Sequence, residues 1–205
     1  MLDPTLQLNL ARFLKSQTYW GLCAMPCFPA FVRKRNSLHR LGAWLLTLLL
    51  VVLLLSASRM PQFRLKDLKN HWQRWEDVRG PRLTVVDFWA TWCKPCLRMI
   101  PHLEKIHQQY ASKGVAVVGV NVDSPRNLSK VPPLVRQLGI GYTVLLDPNN
   151  ELMDALHIQA VPTLLVVDST GEIRYFHEGY RPGDETELTR FLDKLLNQSG
   201  GGNEQ

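Results

Sequence analysis

The stretch VVDFWATWCKPCLRMIP, residues 85 to 101, constrains this chain more than any other. LTVVDFWA is short and almost wholly apolar and reads as a buried strand, whereas CKPCLRMIPHLEKIHQQYASKG carries helical spacing and closes at Gly114. A strand that runs straight into a helix opening on Cys93 and Cys96 puts two thiols at one junction. Their C-x-x-C spacing serves either a metal or a redox reaction.

The metal reading finds too few ligands. Zinc takes four, and the nearest candidates, His102 and His107, lie on the same helix as the cysteines. Cys96 and His102 are separated by about 240° around the helix axis and face apart. No second C-x-x-C follows in the domain, and Leu97 stands where a haem-attachment motif needs histidine. The expectation is therefore no metal and no cofactor. The redox reading explains more. Cys93 at a helix N-terminus meets free N–H groups and the helix dipole, which favour a thiolate. Cys96 lies one turn deeper on the same face, placed to attack a mixed disulfide on Cys93. Pro95 in the first turn lacks an N–H that would be unpaired there and stiffens the loop. Lys94 adds positive charge beside the thiolate, or is a solvated surface lysine.

Strand and helix patterns alternate along the chain. FRLKDL leads into NHWQRWEDVRG, which is helix-like and ends at Gly80 and Pro81. After the C-x-x-C helix come the buried strand VAVVGVNVD, a polar, proline-interrupted helical insert at about residues 124–141, the strand YTVLLD and the helix NNELMDALHI. AVPTLLVVDSTGEIRYFHEG reads as two strands joined by a turn at Ser169 to Glu172, and DETELTRFLDKLLNQ as a closing amphipathic helix begun by acidic residues. The expected fold is a mixed α/β sheet covered by helices on both faces.

The chain carries a formal charge of +6, but residues 1–58 hold six Lys/Arg against Asp3 alone and the rest is nearly neutral. A near-neutral globular part argues against nucleic acid as a partner. The basic excess instead precedes LGAWLLTLLLVVLLLSA, residues 41–57, an uncharged run of roughly 26 Å at helical rise that can just cross a bilayer. It shows no polar face, unlike a core helix. A cleaved signal peptide is the other alternative, since Ser56, Ala57 and Ser58 offer small residues, but the segment ahead of it is long for that purpose. Lys/Arg counts on the two flanks tie, so orientation is left to the chemistry. Residues 1–40 read as a basic cytoplasmic tail in which Met25 is a second plausible start and Cys23 and Cys27 are spare thiols. Residues 58–80 read as linker and extension, 81–197 as the domain, and 198–205 as a disordered tail.

DFWATWCKPC, with Pro101 following, resembles the active-site segment of the thioredoxin superfamily. Together with the anchor, FRLKDL, the insert and VPTLLVVDSTGEI, it resembles the membrane-anchored TlpA/ResA-type thiol:disulfide oxidoreductases over residues 62–197. The resemblance implies a thioredoxin-like fold with a TlpA-type insert behind one transmembrane helix, and a redox-active Cys93–Cys96 disulfide. It gives Asp87 the role of the acid beneath the second cysteine, and a carboxylate in an apolar strand suits proton transfer with Cys96. It matches Pro162, after Val161, to the family's cis-proline, whose loop faces the cysteines and offers backbone to an extended substrate. Trp92 matches the tryptophan flanking the nucleophile. Peroxiredoxins share the fold, but their P-x-x-x-T-x-x-C pattern would need Pro and Thr where this chain has Val86 and Ala90.

The resemblance implies thiol:disulfide exchange, in the direction of reducing disulfides of cysteine-containing envelope proteins such as apocytochrome c or the copper-site cysteines of an oxidase. If the protein is a reductase, a membrane dithiol donor supplies the electrons, and the resemblance places the domain on the periplasmic face of a bacterial inner membrane. An oxidant or isomerase using the same residues, and a non-catalytic redox-responsive or metal-holding module, are the alternatives.

Overall fold

The computed structural model describes residues 59–198. The expected anchor at 41–57, the basic tail and residues 199–205 lie outside them. Among the described residues, no helix is long and apolar enough to cross a membrane.

Seven strands form one sheet in the order β2-β1-β5-β4-β3-β6-β7. They are β1 Arg64–Asp67, β2 Trp72–Arg74, β3 Leu83–Trp89, β4 Val115–Asn121, β5 Thr143–Leu146, β6 Thr163–Asp168 and β7 Ile173–Glu178. The helices are α1 Trp75–Val78, α2 Lys94–Tyr110, α3 Val131–Leu138, α4 Glu151–Ala155 and α5 Asp184–Gln198. β3 pairs parallel with β4 and antiparallel with β6. It is buried along its whole length, which is why it reads as an unbroken apolar run rather than as an alternation. α2 packs on β4 and against α5, so the helix that opens on the cysteines lies over the centre of the sheet.

Residues 59–80, within the segment read as linker and extension, contribute two strands to the sheet. β1 and β2 form an antiparallel hairpin, and β1 pairs with β5. The turn is set by Asp67, whose carboxylate accepts the N–H groups of Lys69 and His71 at 2.8 Å, with Asn70 at positive φ. The helix expected over NHWQRWEDVRG shrinks to α1, because the segment ahead of it is drawn into the sheet. Gly80 does not cap that helix. A Cβ there would stand 2.2 Å from the Leu83 carbonyl oxygen and 2.7 Å from the Ala116 nitrogen, so glycine is needed for close backbone approach.

The insert is a short 3-10 turn at Leu128–Lys130 followed by α3. Pro132 and Pro133 do not interrupt α3, because they occupy its first turn, where a missing N–H is harmless. Gly139 at φ 66° ends it.

Candidate active site

Cys93 is the N-cap of α2 and Cys96 sits in its first turn, with the two joined in a disulfide whose Cα atoms are 5.3 Å apart. The Cys96 N–H donates to the Cys93 sulfur at 3.2 Å. Both cysteines are buried, whereas Trp92 beside them is 64 % exposed. Lys94 is exposed and Pro95 half-buried. Trp92 therefore stands in solvent next to the Cys93–Cys96 disulfide rather than in the core.

Asp87 lies in the middle of β3, fully buried, and its carboxylate has no hydrogen-bond partner in the protein. Desolvation pushes its pKa up to about 7. Its lateral neighbours explain the space around it. Gly119 is opposite on β4 and Leu164 opposite on β6. A Cβ on Gly119 would meet the Trp89 indole nitrogen at 3.0 Å and the Tyr142 ring at 3.2 Å, so the bare glycine admits both rings beside Asp87. The Tyr142 hydroxyl is buried, and its pKa is driven well up by burial, with the charges of Asp87 and Glu104 adding to the effect.

The Val161–Pro162 peptide is cis, and the Pro162 carbonyl accepts the Gly179 N–H at 2.7 Å. Pro162, Asp87 and Met99, one helical turn beyond Cys96, line a common narrow cavity. Val161 is half-buried and packs against the core. Asp87 and Pro162 thus share a cavity with Met99 of α2, the helix that opens on Cys93 and Cys96.

A polar network that drew no attention in the sequence fixes the loop before Cys93. Asp123, fully buried, accepts the Thr91 N–H at 2.7 Å, the Thr91 hydroxyl at 2.8 Å and the Asn121 amide at 2.8 Å. Its own N–H donates to the Asn121 side-chain oxygen at 3.2 Å. The only signal was polar residues ending a buried strand in NVD and a threonine ahead of Trp92. A second unanticipated pair is His177 on β7 with Asp184 at the start of α5, 2.9 Å apart.

The AhpC/TSA family matches residues 57–176. The thiol-disulfide oxidoreductase ResA of Geobacillus kaustophilus is 31 % identical over 138 residues, covering 67 % of this chain and 76 % of that protein. The thioredoxin-like protein YneN of Bacillus subtilis is 32 % identical over 137 residues, covering 66 % and 79 %. The crystal structure of a Chlorobium tepidum protein, provisionally described as the thiol:disulfide interchange protein DsbE, is similar at a TM-score of 0.63 and 26 % identity, covering 68 % of this chain and 96 % of that one. With a thioredoxin-like sheet, a cysteine pair at the head of its central helix and relatives of this kind, the chain belongs to the AhpC/TSA family as a thioredoxin-like thiol:disulfide oxidoreductase.

Proposed function

We propose that the protein reduces disulfides of cysteine-containing envelope proteins, with Cys93 as the attacking thiolate, Cys96 as the resolving thiol and Asp87 as the group that takes the Cys96 proton. One observation carries the assignment of roles: the Cys96 N–H points at the Cys93 sulfur from the first turn of α2, so the helix end stabilises negative charge on Cys93. Cys96 is fully buried, which suits a thiol that meets a mixed disulfide and not a substrate in solution. Asp87 is a carboxyl whose pKa of about 7 lets it exchange a proton near neutral pH. In this reading Trp92, Val161 and Pro162 are the substrate-facing residues, and Lys94 and Pro95 tune the thiolate. Cytochrome c or oxidase copper-site maturation supplies fitting substrates, and a membrane dithiol supplies electrons.

Residues 41–57 anchor this activity in the bacterial inner membrane with the domain in the periplasm, supported by the length and uncharged character of that segment. The AhpC/TSA match does not make the protein a peroxidase in this reading, because Val86 and Ala90 replace the proline and threonine of the peroxidatic pattern. The test is the resting redox state of Cys93 and Cys96 in untreated cells, by thiol alkylation. A reductase is held mostly as dithiol; a pair found mostly as disulfide reverses the assigned direction.

A further inference from the structure

Gly119, Asp87, Leu164 and His177 occupy one row across four adjacent strands. Directly opposed residues share a face, and two strand spacings put the Cα atoms of Asp87 and His177 about 10 Å apart. Between them lies a cavity of about 10 Å³, which Asp87, Leu164, His177 and Asp184 all help to line. That space matches about one water molecule. At its inner end is a carboxyl with no protein partner. At its outer end is an imidazole with 31 % of its side chain exposed, held by Asp184 at 2.9 Å. Asp184 is itself fixed by the Arg181 N–H at 2.6 Å.

We propose that His177, oriented by Asp184, relays protons between Asp87 and bulk solvent; this rests on the reading of Asp87 as the base for Cys96. In the resolving step the Cys96 thiol gives its proton to the Asp87 carboxylate. The Cys96 thiolate then attacks the Cys93 sulfur, the Cys93–Cys96 bond forms, and the bond to the substrate sulfur breaks with its electron pair leaving on the substrate thiolate. Two electrons pass from the dithiol to the substrate. The proton on Asp87 crosses the cavity through one water to the His177 imidazole, Asp184 stabilises the imidazolium, and the exposed edge of the ring returns the proton to solvent. Asp87 is fully buried, so the same path is what frees it of its own proton before it can take the one from Cys96.

The other groups facing the path do not compete. Tyr142, Tyr175 and Tyr180 all have their pKa values raised, chiefly by burial, so they stay neutral. Tyr180 donates to Glu185, lies under Arg98 at 5.9 Å and faces His102. Tyr175 stacks on His177 at 6.1 Å and feels Glu187 and Asp184. Among the residues lining the cavity, His177 is the one imidazole, with a ring nitrogen that can accept a proton on one side and one that can give it up on the other.

The experiment mixes the reduced full-length chain in dilute buffer with an aromatic disulfide whose thiolate is coloured, so that attack by Cys93 and resolution by Cys96 appear as two phases. His177→Gln leaves the first phase unchanged and slows the second roughly tenfold, less than loss of the base itself. Added imidazole restores the rate, which no merely structural role of His177 would allow. Asp184→Asn, a second variant should the first not fold, slows the same phase and shifts its pH midpoint. An unchanged second phase in both, or a slow phase that imidazole does not rescue, overturns the relay. If Asp87→Asn slows resolution while His177→Gln does not, the relay alone fails; if Asp87→Asn is silent, the base reading fails and takes the relay with it.

Discussion

The backbone N–H of Cys96 meets the sulfur of Cys93 at 3.2 Å across the first turn of α2. That contact makes the two thiols unequal. Cys96→Ser is expected to leave the first attack intact and block the second, so that covalent substrate complexes accumulate, whereas Cys93→Ser traps almost none. Non-reducing electrophoresis with mass spectrometry reads the outcome, and equal trapping by both variants would contradict the assigned roles.

Asp87 gives stability a pH dependence of unusual sign. Its carboxyl holds a proton up to about pH 7 in the folded chain but loses it near the ordinary carboxylate value of 3.8 when unfolded. Between those values the folded state binds more protons, so stability falls as pH rises through that window, by about 4 kcal/mol, and levels off above it. Asp87→Asn removes this slope. Urea unfolding of both proteins at several pH values measures it, and parallel curves would show that Asp87 is ionised in the fold.

Asp123 holds the cysteine loop from below. Asp123→Ala strands the Thr91 N–H, the Thr91 hydroxyl and the Asn121 amide in a buried site, and is expected to cost about 3 kcal/mol. Thr91→Val removes one hydroxyl bond of that set and costs about 1 kcal/mol. The same unfolding experiment reports both, and equal losses would mean that the network is not centred on Asp123.

Gly119 leaves room that the site uses. Gly119→Ala brings a methyl to about 3 Å from the Trp89 indole nitrogen and the Tyr142 ring, and overpacking of this kind costs about 1–3 kcal/mol. A thermal melt that does not shift would show that the two rings move aside freely.

For the segment 41–57, a periplasm-active reporter fused to the C-terminus of the chain is expected to be active. Activity of a cytoplasmic reporter in its place would reverse the proposed topology.

β3 and the head of α2 could be read from the sequence because local pattern and tertiary role coincide there. A strand buried on both faces must be apolar throughout, and its single carboxyl, Asp87, stands out for that reason. Where structure depends on distant partners the sequence was silent. Asp123 and Thr91 look like a strand end and a loop residue, and only the pairing of β3 with β4 brings them together. The β1–β2 hairpin was missed because its basic and aromatic residues lack a clean alternation and its place is set by pairing with β5 much later in the chain. His177 was hidden by the alternation of β7, which turns it inward with Tyr175.

The β1–β2 hairpin also decides what the rim of the sheet offers to other molecules. Without it β5 would present unpaired backbone, a ready template for another chain. With it the outermost strand is three residues long, and its exposed Trp72 lies beneath the Arg64 guanidinium at 4.8 Å and the Lys66 ammonium at 5.0 Å. So short a strand leaves little backbone for another chain to pair with. The hairpin therefore covers the β5 edge of the sheet, and a chain trimmed back to the start of β3 is expected to expose that edge and to elute earlier than a monomer in gel filtration.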